Sequence, residues 1–165
     1  MKFNTKGLVY NLNTKQNLPI NVQEAWEFLS DPRNLQRITP KNMEFEIISG
    51  DEKKMFPGQI IQYKIRLAPG IRISWVTEIT HVNDLNYFVD EQRFGPYKFW
   101  HHKHYINPTD DGVELEDSID YIVPGGPFRR WIHVFFVKPK LMEIFSFRRK
   151  ILSEIIQKSI TKAGN

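Results

Sequence analysis

The hydrophobic period of this chain is two over a long central stretch and becomes helical after it, and that change restricts the fold more than any other feature. From residue 43 to 123 apolar side chains recur at every second position. Met43, Phe45 and Ile47 alternate with Glu44 and Glu46. Ile61, Tyr63, Ile65 and Leu67 alternate with Gln62, Lys64 and Arg66. Ile71, Ile73, Trp75, Thr77 and Ile79 stand opposite Arg72, Ser74 and Glu78. Val113, Leu115, Asp117, Ile119 and Tyr121 stand opposite Glu114, Glu116, Ser118 and Asp120. Strand side chains point alternately to two faces, so this segment predicts strands with one apolar and one polar face. Short connections such as Pro69-Gly70 and Asn83-Asp84 make the sheet an antiparallel meander. Beyond Pro124-Gly125-Gly126-Pro127 the period becomes helical, with a stripe of Leu141, Ile144, Phe145, Arg148, Ile151, Leu152 and Ile155. A helix over 140–161 would be about 33 Å long at about 1.5 Å per residue, enough to cover the apolar face of the sheet. Pro139 removes an amide donor and is expected to kink or split that helix.

The first 42 residues read as one strand and two short helices. Leu8, Tyr10 and Leu12 alternate over 6–12, a first strand. Asn21 with Glu24 three residues later is a capping box, followed by Val22, Ala25, Trp26 and Leu29 at helical spacing. Asp31-Pro32 starts a second short helix, which Thr39-Pro40 stops. The reading is therefore one α+β domain over 1–165, with about seven antiparallel strands wrapped around a long C-terminal helix.

Several function classes are disfavoured. The net charge of +4 is too small for a nucleic-acid footprint, and the late basic cluster from Arg129 to Lys162 reads as a solvated helix face. The absence of cysteine excludes disulfides, thiol catalysis and thiolate metal sites. The N-terminus has no signal-peptide core, and no apolar run approaches the ~20 residues needed to span a bilayer. A soluble cytoplasmic protein is expected. No nucleotide-binding glycine motif and no Gly-x-Ser-x-Gly is present, and no cofactor is assigned.

What remains is chemistry on a face that should be apolar. Phe88 to Phe94 and Lys98 to Ile106 form a hairpin turning at Gly95-Pro96. Trp100, His102 and His104 share one face of its second strand; Asp90 and Gln92 share one face of its first. A turn centred on Pro96 pairs Gln92 with Trp100 and Asp90 with His102. If the next turn, within a polar loop over 107–112, centres between Thr109 and Asp110, His102 faces Asp117. Directly opposed residues lie ~4.5–5.5 Å apart, which puts His102 between two carboxylates. Such a row can orient a ligand, act as an acid/base pair, or simply satisfy its own hydrogen bonds and fix the register. His-x-His also suits zinc, but alone it is too common to assign a metal, and none is assigned.

The order of elements, with Leu18-Pro19-Ile20, Ala25-Trp26-Glu27-Phe28, Asp31-Pro32-Arg33-Asn34-Leu35, Ile38-Thr39-Pro40, Pro57-Gly58, Trp75-Val76-Thr77-Glu78-Ile79, Asp90-Glu91-Gln92, Gly95-Pro96-Tyr97 and the Trp100, His102, His104 row, resembles the START/Bet v 1-like (SRPBCC) superfamily. The likeness is to a bacterial branch of undefined function, some members of which are labelled cyclase-like or cell-division inhibitors. The resemblance covers nearly the whole chain. It implies a helix-grip fold with a cavity between sheet and helix, and it does not name a ligand.

The leading expectation is a binding module for a hydrophobic small molecule: a lipid, a polyketide-like compound or an aromatic. Tyr63, Trp75, Phe88, Trp100 and Ile144 would form apolar walls, and Asp90, Gln92, His102, His104 and Asp117 would orient the polar end. Arg148, which interrupts the helix stripe, either snorkels to the edge or aims at a carboxylate in the cavity, a ligand's or Asp117. The alternatives are a cyclase or dehydratase using His102 with Asp90 or Asp117, and a protein-interaction domain with a closed cavity. The segment Trp131, Ile132, Val134, Phe135, Phe136, Val137 is apolar on all sides and is expected to be buried, with a peripheral membrane contact as the lesser reading. No partner other than the small molecule is assigned.

Overall fold

The computed structural model describes residues 1–51 and 54–163, with helix side chains to Lys158. The strands are β1 (Lys2–Lys6), β2 (Val9–Leu18), β3 (Glu46–Ser49), β4 (Gln59–Ala68), β5 (Ile71–Asn83), β6 (Tyr87–Phe94), β7 (Phe99–Thr109) and β8 (Gly112–Ile122). They form one sheet in the order β1-β2-β8-β7-β6-β5-β4-β3. Every neighbouring pair is antiparallel. Between β2 and β3 lie helices α1 (Val22–Leu29) and α2 (Asn34–Arg37) and a single 3-10 turn, Lys41–Met43. After β8 a continuous helical run consists of α3 (Arg129–Ile132), a wide π turn (His133–Val137) and α4 (Lys138–Ala163).

The expected strand over 6–12 is instead a hairpin. Gly7 takes φ 63° in a two-residue turn that pairs Lys6 with Val9. Glycine at the first turn position is what a II′ hairpin requires. Leu8 continues the alternation in sequence but sits exposed at the turn tip, whereas Tyr10 and Leu12 are buried. This adds one strand to the expected seven. The Asn21 box forms as read: Asn21 Oδ1 accepts from the Glu24 N–H at 2.9 Å, and the Asn21 N–H donates to Glu24 Oε2 at 3.0 Å. The second helix starts later than expected. Asp31 Oδ1 accepts from the Arg33 N–H, closing a local turn, and the helix begins at Asn34.

The helical run is not interrupted at Pro139, which lies at the second position of α4. The chain widens into the π turn just before it, where a missing amide and a bulky ring are most easily accommodated. The run begins at Arg129, earlier than the expected 140. Its expected burial fails. Trp131, Val134, Phe135 and Phe136 are all exposed, and only Ile132 and Val137 pack against the core. The reason is geometric: a helix lying on a sheet has one inward face, and Ile132, His133 and Val137 already occupy it.

The inner sheet face and α4 enclose two apolar clusters. One contains Tyr10, Leu12, Phe45, Trp75, Trp100, Ile119, Tyr121, Leu141 and Phe145. The other contains Leu18, Trp26, Phe88, Ile106, Leu115, Leu152 and Ile156, with Trp26 edge-on to Phe88. Residues between these clusters on three neighbouring strands and the long helix are polar: Asp90 on β6, His102 and His104 on β7, Asp117 on β8 and Arg148 on α4. The core is thus divided by a charged belt.

Candidate functional site

Strand register assembles the belt. Asp90 lies directly opposite His102, and Phe88 opposite His104, as the Pro96 turn implies. Gln92, however, pairs with Thr77 on β5 and not with Trp100. On the other side β7 runs to Thr109, which pairs with Gly112 across a two-residue turn at Asp110-Asp111, not a six-residue loop. That moves the register by two. His104, not His102, is opposite Asp117, and His102 is opposite Ile119. A shift of two keeps every side chain on its face. Diagonal neighbours remain within reach of long side chains, so His102 Nε2 still meets Asp117 Oδ1 at 3.0 Å.

The result is a closed four-membered ring. His102 Nδ1 lies 3.3 Å from Asp90 Oδ2 and its Nε2 3.0 Å from Asp117 Oδ1. His104 Nε2 lies 2.7 Å from Asp90 Oδ2 and its Nδ1 3.0 Å from Asp117 Oδ1. The imidazoles face each other at 3.6 Å, and His104 stacks on Phe88 at 4.1 Å. Arg148 donates from a terminal nitrogen to Asp117 Oδ1 at 3.1 Å, with its guanidinium over the Phe145 ring. Both imidazoles are buried.

Four imidazole nitrogens facing carboxylates would all be donors only if both rings were cationic, and two stacked cations repel. The ring resolves this asymmetrically. Burial, then the neighbouring His104, hold His102 down at about 4 against the pull of Asp90 and Asp117. Burial also opposes a charge on His104, but hydrogen bonds to Asp117 and Asp90 outweigh it and raise its pKa. Burial pushes the Asp90 carboxyl up, and His102, His104 and Arg148 together reverse this and lower it. Asp117 is held well below the usual carboxylate range because Arg148 and both imidazoles outweigh its burial. With His104 holding a proton and His102 neutral, the arrangement both shifts favour, the belt carries two carboxylates, one imidazolium and one guanidinium, and its charges cancel.

The belt forms one wall of a cavity of about 170 Å³ between the sheet and α4. Tyr63, Trp75, Phe88, Asp90, Trp100, His102, His104, Ile144 and Arg148 all line it. Asp117 does not; it stands behind the imidazoles and faces a smaller space beside Arg149. Gln92 is a correction. Its side chain is spent on the hairpin turn, donating to the Tyr97 carbonyl at 2.7 Å and accepting from the Tyr97 N–H at 3.2 Å. Tyr63 is a buried phenol within 3.0 Å of Thr77 Oγ1, its pKa raised by burial and then by Asp90. Two cavity-lining donors, Trp75 Nε1–H and Arg148 Nε–H, are buried with no hydrogen-bond partner among the described residues.

Sequence reasoning missed Tyr97 and His133. Tyr97 lines the cavity and packs on Trp75 and Trp100, although its position read as the end of a turn. His133 is buried in the π turn, stacked on Tyr10 at 3.8 Å with Nε2 2.8 Å from the Tyr121 hydroxyl. Nothing in a helical period marks an inward histidine at a π turn. Asp90, His102 and His104 each place one donor atom within 4.8 Å of the others, a grouping that could hold a cation. The guanidinium beside Asp117 and the protons of the ring oppose that use.

No protein-family model and no curated protein sequence matches the chain. Solved structures do. Protein TTHA0849 of Thermus thermophilus superposes with a TM-score of 0.68 at 13% identity, over 90% of this chain and 98% of its own. The ginseng major latex-like protein 151 of Panax ginseng gives 0.68 at 13% identity, over 91% of this chain and 99% of its own. Ara h 8.0201 gives 0.59 at 18% identity, over 88% and 99%. The chain has the helix-grip fold of START/Bet v 1-like proteins.

Proposed function

We propose that this protein binds a neutral, hydrophobic small molecule carrying one carbonyl-type acceptor, in the cavity between the sheet and α4. The observation that carries this reading is the pair of orphaned donors, Trp75 Nε1–H and Arg148 Nε–H, on residues that line the cavity beside the belt. A buried donor without an acceptor costs about 1–3 kcal/mol. Such groups persist where a bound partner supplies what is missing. Because the belt is already charge-balanced, a second buried anion would be uncompensated, which favours a ketone, ester or amide over a carboxylate. A dry apolar cavity of ~150 Å³ holds a benzene-sized guest. A volume of about 170 Å³ therefore suits one aromatic ring or a short chain, within the lipid, polyketide-like and aromatic classes.

Acid/base catalysis of the cyclase or dehydratase type is less well supported. Each imidazole nitrogen faces a carboxylate oxygen at 3.3 Å or less, so none is free to take a proton from a substrate. The interaction-domain reading requires a cavity packed shut, which the open volume disfavours. Calorimetric titration with acetophenone and with ethylbenzene tests the proposal. One hydrogen bond to a buried donor is worth ~1 kcal/mol, so the ketone should bind about five-fold more tightly or better. Trp75→Phe should remove most of that preference. Equal affinity for the two compounds, or no binding of either, contradicts the proposal.

A further inference from the structure

The start of the helical run that closes the sheet, with the turn just before it, carries large apolar side chains on the outside. Phe128 is 69% exposed, Trp131 65%, Phe135 60%, Phe136 71% and Val134 48%. Trp131 and Phe135 stack on each other at 5.6 Å, forming a joined aromatic surface with no sheet residue across it. Frayed chain does not explain the exposure, because the inward side is firmly held. Ile132 and Val137 pack on the core, and His133 is buried between Tyr10 and Tyr121. The three residues between inward-facing His133 and Val137 are therefore presented outward together.

Along the chain, the charge flanking this face has one sign. No acidic residue occurs between Asp120 and Glu143, whereas Arg129, Arg130, Lys138 and Lys140 all do. Arg130 is exposed beside Trp131, and Lys138 lies with its ammonium over the Phe3 ring. A surface helix of a globular protein normally turns polar residues outward. A contiguous exposed apolar patch with a basic border marks an interaction surface. A second copy of this chain is a poor partner, because a two-fold contact centred on the patch would set Arg129 and Arg130 near their own duplicates. An anionic bilayer offers what both features need: headgroup charge for the arginines and an interfacial layer for tryptophan and phenylalanine. No described helix is long and apolar enough to cross a membrane, so the contact is with one leaflet.

We propose that Phe128, Trp131, Val134, Phe135 and Phe136, bordered by Arg129 and Arg130, form a docking face for an anionic phospholipid surface. The aromatic side chains enter the headgroup boundary, and the arginines bind lipid phosphate or carboxylate. This surface is independent of what the cavity holds.

The chain carries its own reporter. Of its four tryptophans, Trp26, Trp75 and Trp100 are buried and only Trp131 is exposed. The full-length protein is mixed with vesicles of phosphatidylcholine alone or of equal parts phosphatidylcholine and phosphatidylserine, followed by flotation and tryptophan emission. Co-flotation with the anionic vesicles is expected, with a blue shift and quenching by brominated acyl chains that Trp131→Phe removes. Arg129→Gln with Arg130→Gln should weaken partition by about five-fold for each arginine. Added salt should release the wild-type protein. Phe135→Ser with Phe136→Ser should abolish the emission shift while leaving the urea midpoint unchanged. Should that variant fail to fold, the arginine variant and the salt titration decide the matter alone. Failure to float with anionic vesicles overturns the proposal. So does equal partition into neutral vesicles that the arginine variant does not alter. A concentration-dependent Trp131 shift without vesicles, accompanied by dimerisation, would assign the face to a second copy and also overturns it.

Discussion

Replacing Arg148 with Met removes one cation from the belt while keeping most of the apolar stem, and its outcome can be worked from the geometry. Arg148 and Asp117 are 11% and 16% exposed at the side chain and meet at 3.1 Å. Removing one partner of a buried ion pair costs ~3–5 kcal/mol. Two features reduce that loss. The Arg148 Nε–H has no partner among the described residues, and deleting an orphaned donor recovers ~1–3 kcal/mol. Asp117 also keeps both imidazoles at 3.0 Å. A net destabilisation of about 2 kcal/mol is expected. It is read as a lower urea midpoint at unchanged m-value and, for a domain of this size, a Tm about 4–8 °C lower. A variant as stable as the wild type, or more stable, would mean that the desolvation of Arg148 outweighs its pairing. The Arg148–Asp117 pair would then not be what holds the belt together.

Further outcomes follow from the same geometry. Stability should be greatest near the ordinary imidazole value of 6.5. His104 has a raised folded pKa, so its contribution is fully present below 6.5 and is lost as pH rises through the folded value. His102 has a depressed folded pKa of about 4, so stability falls as pH drops from 6.5 toward that value. Asp90 and Asp117, also depressed, lose their contributions at lower pH still. Urea midpoints across this range test the dome, and His104→Gln should remove its alkaline slope. Trp75→Phe should weaken acetophenone binding while costing no more than ~1 kcal/mol of stability in urea unfolding, since the smaller ring is offset by loss of an unsatisfied donor; a large stability loss would contradict that balance. Gly112→Ala should destabilise by at least ~2 kcal/mol, because φ is 144° and a Cβ there collides with the Leu18 carbonyl oxygen; a neutral thermal melt would refute the tight β7–β8 turn.

Much of this architecture was legible because burial is periodic. Ile61, Tyr63, Trp75, Ile79 and Ile119 repeat every second residue against a curved sheet, and Leu141, Phe145 and Leu152 repeat along the helix. The polar belt was legible for the same reason: Asp90, His102, His104, Asp117 and Arg148 each interrupt an apolar face. Turn geometry was harder to read. The two-residue turns at Gly7-Leu8 and Asp110-Asp111 decide strand count and register, yet the alternation runs through the first without a break. The polar run from Asn107 to Gly112 reads as loop although most of it is strand. Gln92 was drawn to the site by its parity, which cannot reveal that the β6–β7 turn claims both ends of its amide. The outward face of 131–136 was misread because hydrophobicity predicts burial only where a surface remains to bury against, and the sheet had already been covered.

The most direct test of the binding account is the indole N–H signal of Trp75 in a two-dimensional nitrogen–proton spectrum, followed during titration with acetophenone. Saturable movement of that one signal to lower field, absent with ethylbenzene, is expected if a ligand carbonyl takes up the orphaned donor. A Trp75 signal that stays in place while the ketone binds, or a ketone that never enters the cavity, would contradict the account.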